Sequence, residues 1–390
     1  MKKKKQFNVL DLFCGTGALS YGLESHGSQL KTIGGIDLDA SATKTAALNH
    51  PSALIVRDDI TRIPPDVFAS HAGLASIDVI VGGPPCQGFS SLRPSRGVDL
   101  DDPRNALYKQ YLKYVKVLRP RVFLMENVVG LLTANGGKLV SQIVAAFQRA
   151  GYRCDWRVLN AANFGVPQKR ERFFLVGVRT DLGVAAQPIF PVPFHRFNGR
   201  VIGTAKKERY VANPDVGLDA VTAWEAISDL PSLQSGESKY TYGAPARNEY
   251  QKARRVSAPS RLVLHEAADH NAKMLEVISH AGASINALPP GLVSSGYSSC
   301  YSRIAADEPS TTITVKFTSP ASSKCIHPFD NRAITPREAA RLQGFDDAFQ
   351  FAGSKTEIAS QIGNAVPPLF GFAFAPVLEK MLNDQSVGEY

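Results

Sequence analysis

A chain of 390 residues, 44% hydrophobic and 20% charged, has room for one large α/β domain plus a smaller one, and its composition excludes a disordered or coiled-coil protein. Lys and Arg number 44 against 35 Asp and Glu, a formal charge of +9, which suits a polyanionic partner such as nucleic acid and equally a basic enzyme without one. No apolar run reaches the roughly 20 residues of a membrane helix. None follows Lys2 to Lys5 either, so no membrane association is expected and the protein is expected in the cytoplasm.

In chain order, short β-branched runs at 7–13, 31–36, 54–56, 77–81, 122–126, 153–159 and 172–178 predict strands, and the segments 18–25, 40–48, 105–117 and 138–150 predict helices between them. This alternation is that of a Rossmann-like, doubly wound, mainly parallel sheet over residues 1–180. Past Thr180 the pattern breaks: Pro188, Pro191 and Pro193 punctuate short mixed segments, and a smaller mixed domain is expected over 181–329. A C-terminal segment, 330–390, holds an expected helix at 336–342 with proline in its first turn and an apolar stretch at 358–374. No repeat is visible. The cysteines Cys14, Cys86, Cys154, Cys300 and Cys325 form no C-x-x-C pair, so neither a disulfide scaffold nor a metal site is expected, and each thiol is either buried filler or a nucleophile.

Asp11-Leu12-Phe13-Cys14-Gly15-Thr16-Gly17 lies where the first strand turns into the first helix, and Gly15 and Gly17 let a cofactor approach the backbone. Serine at position 20 leaves the full G-x-G-x-x-G incomplete, so a plain tight turn is the competing reading. Asp37, ending the second strand, can accept from both ribose hydroxyls, and Asp59, after the third, can face an adenine amine; a helix cap and a turn are the alternatives. Together these favour an adenosyl cofactor.

Gly82-Gly83-Pro84-Pro85-Cys86 follows a hydrophobic strand, which puts Cys86 just beyond its carboxyl end, where open α/β sheets bind ligands. Flanking glycines and two stiff prolines suit a nucleophile better than a packed thiol. Glu126 ends a strand after four apolar residues, and partial burial would raise its pKa so that it holds a proton for a ring nitrogen. In Gln168-Lys169-Arg170-Glu171-Arg172 an extended backbone puts Arg170 and Arg172 on one face, able to meet an anion or a carbonyl.

These motifs, in this order, resemble the cytosine-C5 DNA methyltransferase family, which includes the modification enzymes of bacterial restriction systems. Two C-terminal motifs extend the likeness, Arg337 to Phe345 and Gln361 to Pro368, so that it covers nearly the whole chain except roughly 181–297. The resemblance implies S-adenosyl-L-methionine held by Phe13, Gly15, Gly17, Asp37, Leu38, Asp59, Ile60, Pro85, Asn364 and Val366, the last two brought in as the final helix returns beside the cofactor loop. It implies a target-recognition role for the variable stretch, with DNA contacts from Ser90, Arg254, Arg255 and Thr314, double-stranded DNA as substrate, a monomer, and pairing with a restriction endonuclease. Two positions depart from the pattern: Cys14 replaces another small residue and Asp346 stands where proline is frequent.

The chemistry so implied begins with Cys86 attacking carbon 6 of a flipped-out cytosine, which makes carbon 5 nucleophilic toward the methyl group; Glu126 stabilises the developing charge while Arg170 and Arg172 orient base or acid. Further basic residues, Arg247, Lys252 and Arg261, alternate with Tyr240, Tyr242 and Tyr250 and are candidate phosphate contacts. RNA as substrate and a DNA-binding regulator without catalysis are the competing readings.

Overall fold

A computed structural model describes residues 5–25, 27–71, 76–85, 107–182, 187–197 and 217–383. Seven strands form one sheet: β1 (Phe7–Leu12), β2 (Leu30–Asp37), β3 (Leu54–Arg57), β4 (Val79–Gly82), β5 (Val122–Val128), β6 (Tyr152–Asn160) and β7 (Glu171–Arg179), in the order β3-β2-β1-β4-β5-β7-β6. All pairings are parallel except those of β7, which runs antiparallel to both β5 and β6. The winding reverses between β1 and β4, whose ends pair through Leu12 and Gly82, and this reversal opens the crevice in which such sheets bind ligands. The expected doubly wound architecture is therefore present, with strand limits shifted by a residue or two.

Burial on both faces explains why the central strands read as continuous apolar runs. One face packs against α1 (Ala18–Leu23) and α11 (Pro368–Asn383) through Leu19, Leu23, Phe370, Phe374 and Leu378. The other is covered by α3 (Pro65–His71), α4 (Leu107–Leu118) and α5 (Leu139–Arg149), with Phe68, Tyr111, Ile143 and Phe147 at its centre. Helix α3 was not among the expected elements: two turns opened by Pro64-Pro65 are too short to display a helical period. Helix α2 (Ala40–Asn49) flanks β2 and β3, capped by the Asp39 carboxylate, which accepts from the Ser41 and Ala42 amides.

The second part of the chain holds few regular elements: α6 (Ala223–Ile227), α7 (Glu249–Arg254) and α8 (Ala272–Ser279), followed by α9 (Pro336–Leu342) and α10 (Lys355–Asn364). Helix α9 begins with a capping box between Thr335 and Glu338 and with Pro336 in its first turn. The apolar stretch expected at 358–374 is broken at 365–367, because Pro367 lacks an amide and forces its predecessor out of the helical region.

The expected boundary at Asp330 does not separate two cores. Ile334, Leu342, Phe345 and Ile362 pack in one cluster with Ala223, Ile227, Leu262, Ile304 and Phe317 and with Ala18 of α1, while Thr45 of α2 donates to Gln361 at 2.7 Å, so residues 330–365 join the second module to the helices of the sheet and α11 packs on the sheet itself. Buried ion pairs tie this module together: Arg332 with Glu338 at 2.8 Å, Arg341 with Asp347 at 2.5 Å and with Asp229 at 3.4 Å. Among the described residues, no single helix is long and apolar enough to cross a membrane, and no cluster of His, Cys, Asp and Glu could hold a metal ion.

Candidate active site at the carboxyl edge of the sheet

The turn after β1 carries left-handed φ angles at Phe13 (56°), Gly15 (52°) and Gly17 (72°). A side chain on Gly15 would meet nothing within 4 Å, so this glycine faces open space at the crevice. Gly17 differs: a Cβ there would lie 2.8 Å from the His50 ring, so its bareness accommodates a protein side chain beneath the turn, and only Gly15 answers the expectation of a close ligand approach. Asp37 fixes the turn from β2, its Oδ2 accepting from the Gly15 amide at 2.8 Å and its Oδ1 from the Asp39 amide at 2.9 Å. Burial raises its carboxyl above the ordinary range, opposed by those amides.

Leu38, 67% exposed beside Asp37, offers an apolar face at the crevice. Ile60 is buried and Asp59 half-buried; the Asp59 carboxylate accepts from the Thr61 amide at 2.9 Å, which holds it below the usual carboxylate range. An acid with spare lone pairs, an exposed aliphatic side chain and a bare glycine suit a ribose, an adenine face and a closely approaching chain respectively, so the residues fit an adenosyl cofactor. Asn364 is exposed at the end of α10, donating to Ser360 Oγ at 3.3 Å, while Val366 packs against the sheet core beside α11. Cys14 holds a thiol whose pKa burial pushes well above its ordinary value, which disfavours the oxidisable thiolate.

From β4 the chain enters the loop toward Cys86. Cys86 and Ser90 lie outside the described residues; Gly83, Pro84 and Pro85 do not. Asn127 Nδ2 donates to the Pro84 carbonyl at 3.0 Å, so the glutamate motif holds the base of the nucleophile loop. A Cβ on Gly83 would sit 2.9 Å from Glu126 Oε2, which explains the glycine and puts the acid directly against that loop.

Glu126 is 7% exposed, and the Arg172 Nε donates to its Oε1 at 2.8 Å. Register explains the contact: Glu126 and Arg172 lie on the antiparallel pair β5 and β7, where Val128 faces Arg172. Burial raises the Glu126 carboxyl above the usual range, while Arg172 and then Arg170 draw it down. The result is an acid able to hold a proton at higher pH than an exposed glutamate.

Arg170 behaves otherwise than expected. Its terminal nitrogens donate to the carbonyls of Ile313 at 3.2 Å and Gly363 at 3.1 Å, and burial, then repulsion from Arg172, depresses its pKa. It clamps the segment before half-buried Thr314 to the end of α10 and is a positioning residue. Gln168, also buried, accepts from the Ile313 amide at 3.0 Å and donates to Gln343 Oε1 at 2.5 Å. The sequence reading assigned neither Gln168 nor Asn127 a role, because their partners lie tens of residues away.

Arg254 and Arg255, expected to contact DNA, are turned inward. Arg254 pairs with Asp346 at 2.9 Å and donates to the Gly344 carbonyl at 2.8 Å; Arg255 pairs with Asp229 at 3.1 Å and lies 3.6 Å from the centre of the Tyr242 ring. Both hold α7 onto the module, so their assignment is corrected from DNA contact to folding. Arg247 and Arg261 remain exposed, Arg261 over Tyr240 at 4.5 Å.

A doubly wound, mainly parallel sheet with a glycine turn fixed by Asp37 on one side of β4 and a buried, arginine-held glutamate on the other has the layout of a nucleotide-type enzyme site. The chain matches the family model of the C-5 cytosine-specific DNA methylases over residues 7–380 and belongs to that family. It is similar to the Type II methyltransferase M1.HphI of Haemophilus parahaemolyticus, 35% identical over 95% of this chain and 86% of that protein. M.AgeI of Thalassovita gelatinovora, another Type II methyltransferase, is 31% identical over 95% of this chain and 99% of its own. Among solved structures, a prophage-encoded E. coli protein described as a DNA modification methyltransferase superposes with a TM-score of 0.74 at 25% identity, covering 97% of this chain and all of that one. The enzyme is thus a DNA (cytosine-5)-methyltransferase with S-adenosyl-L-methionine as methyl donor.

Proposed function

We propose that this enzyme methylates carbon 5 of a cytosine flipped out of duplex DNA, through a covalent adduct with Cys86. The observation that carries this reading is the Glu126 carboxyl, buried, held by Arg172 and set against Gly83 in the loop that leads to Cys86. Glu126 holds a proton for ring nitrogen 3 and accepts from the exocyclic amine, which stabilises charge as the Cys86 thiolate adds to carbon 6. Carbon 5, now part of an enamine, takes up the methyl group that S-adenosyl-L-methionine supplies. Loss of the carbon 5 proton to a base then expels Cys86 and restores the ring. Arg172 keeps Glu126 oriented throughout, and Arg170 braces the segment before Thr314 through the Ile313 and Gly363 carbonyls.

Phe13, Gly15, Asp37, Leu38, Asp59, Ile60, Pro85, Asn364 and Val366 would hold the cofactor, with Gly17 completing the turn. A stacked base cannot reach this pocket, so extrusion at a cost of roughly a few kcal/mol is part of the reaction. DNA contacts offset that cost: Thr314 and Ser90 near the extruded base, with Arg247 and Arg261 on phosphates. A monomer acting in the cytoplasm, protecting DNA from a companion endonuclease, completes the proposal; its Type II relatives support that pairing.

Bisulfite sequencing of DNA from cells expressing the protein tests it. Methylated cytosine in one fixed sequence context is expected, absent with Cys86→Ala. Methylation at the exocyclic amine, or persistence in the Cys86→Ala variant, contradicts the mechanism.

A further inference from the structure

His50 closes α2 and lies beneath the cofactor turn, 33 residues along the chain from Gly17. Its side chain is 2% exposed, and both ring nitrogens face acceptors. Nε2 lies 3.0 Å from the Gly17 carbonyl oxygen and Nδ1 lies 2.8 Å from Glu24 Oε1. A carbonyl oxygen cannot donate, and the Glu24 carboxylate also accepts from Lys31 Nζ at 2.7 Å and the Thr32 amide at 3.1 Å, which hold it ionised independently of the histidine. Two acceptors on two ring nitrogens require two N–H groups, which only the imidazolium has.

The ring is also the group that a side chain on Gly17 would strike, so the bare turn and the histidine are fitted to each other. We propose that His50 is a positioning residue for the cofactor turn, gripping the Gly17 carbonyl as an imidazolium anchored on Glu24, so that cofactor affinity follows the charge of this buried ring. The proposal rests on S-adenosyl-L-methionine occupying the crevice above Gly15.

The charged and titratable groups around His50 come from three elements. From α1, Glu24 pairs with it and the Tyr21 ring stands edge-on at 6.4 Å, its hydroxyl donating to Asp346 at 3.2 Å. From β2, Lys31 pairs with Glu24 at 2.7 Å. From β1, buried Asp11 accepts from Ser20 Oγ at 2.6 Å, and that oxygen lies 3.4 Å from His50 Nε2. Burial pushes Asp11 up to about 7, so its ionisation with rising pH favours the charged ring. Burial opposes charge on His50 itself, but Glu24 and the Gly17 carbonyl outweigh it and raise its pKa. The grip is therefore complete below that raised value and is lost as pH rises through it, when one N–H can serve only one of the two acceptors.

Two readouts on the full chain test this. NMR of the imidazole resonances follows the charge on His50 without any ligand, and calorimetry across a pH series measures binding of S-adenosylhomocysteine, which is not turned over. The wild type is expected to titrate His50 above the range of an exposed imidazole and to lose affinity, on the order of tenfold, as the ring titrates. His50→Gln is expected to bind more weakly at neutral pH and without that step; the ligand's own titration is common to both and cancels. Should His50→Gln fail to fold, Glu24→Gln keeps the ring and is expected to move both the NMR midpoint and the affinity step to lower pH together. A His50 midpoint at or below that of an exposed imidazole, or an affinity step that stays in His50→Gln or fails to follow the NMR midpoint in Glu24→Gln, overturns the proposal. Absence of binding by the wild type at every pH overturns it together with the cofactor assignment.

Discussion

Among individual residues, Glu126 is the acid of the proposed reaction and Arg172 its partner at 2.8 Å. Because burial keeps the proton on Glu126 beyond the range of an exposed glutamate, methyl transfer should fall as pH rises through that raised value. Arg172 draws the same value down, so Arg172→Met should move this fall to higher pH as well as slow the reaction; single-turnover rates over a pH series measure both. Glu126→Gln should cost roughly a hundredfold or more in that rate, the usual worth of a positioned proton donor. Arg170 is a different case. Arg170→Met leaves the Ile313 and Gly363 carbonyls without their donor, and a stability loss of about 2 kcal/mol is expected in denaturant titration. The sequence singled out Glu126, which the fold buries against Arg172, because a carboxylate after four apolar residues is anomalous in itself. It did not expose the inward turn of Arg254 and Arg255, because a charged residue looks the same whether its partner is solvent, DNA or Asp346 some ninety residues on.

At the scale of elements, the two glycine classes give opposite predictions. Helices α1 and α11 cross with their backbones touching: a Cβ on Gly371 would run into the Leu19 carbonyl oxygen and one on Gly22 into that of Pro368. Gly371→Ala gains about 1 kcal/mol of helix propensity but overpacks this crossing by about 1 to 3 kcal/mol. A lower melting temperature is therefore expected, with cofactor binding retained in the folded fraction. Gly15→Ala meets no atom within 4 Å but places a side chain at a φ of 52°, so a stability loss of about 1 kcal/mol is expected beside a clear fall in affinity for S-adenosylhomocysteine, since the added methyl group enters the crevice. The central strands and most of their helices were legible because two-sided burial writes itself as β-branched runs punctuated by amphipathic turns. Helix α3 was not, being two turns long, and neither was His50, whose place beneath Gly17 depends on α2 folding back along β2.

For the molecule as a whole, residues 330–365 join the second module through shared core and buried ion pairs, so folding of that module depends on its carboxylates. Although burial opposes it, Arg332 holds Glu338 well below the usual range, and Arg341 lowers Asp347. Their stabilisation is present above the unfolded values near about 4 and is lost as pH falls through the lower folded ones. Glu338→Gln should cost about 3 kcal/mol at neutral pH and flatten the acid limb of the stability profile, measured by denaturant titration at several pH values. The sequence places a boundary near Asp330 because proline and helix signals mark elements, whereas packing decides which elements share a core, and here one cluster runs across that position.

Everything in the catalytic proposal converges on Cys86 reaching carbon 6 of an extruded cytosine beside Glu126. Duplex DNA carrying 5-fluorocytosine at the target, incubated with the enzyme and S-adenosyl-L-methionine, tests this most directly, because fluorine cannot leave as the carbon 5 proton does. The account predicts a denaturation-resistant protein–DNA complex whose modified peptide contains Cys86 and which Cys86→Ala cannot form. Methylation of ordinary DNA by a protein that gives no such complex would contradict it.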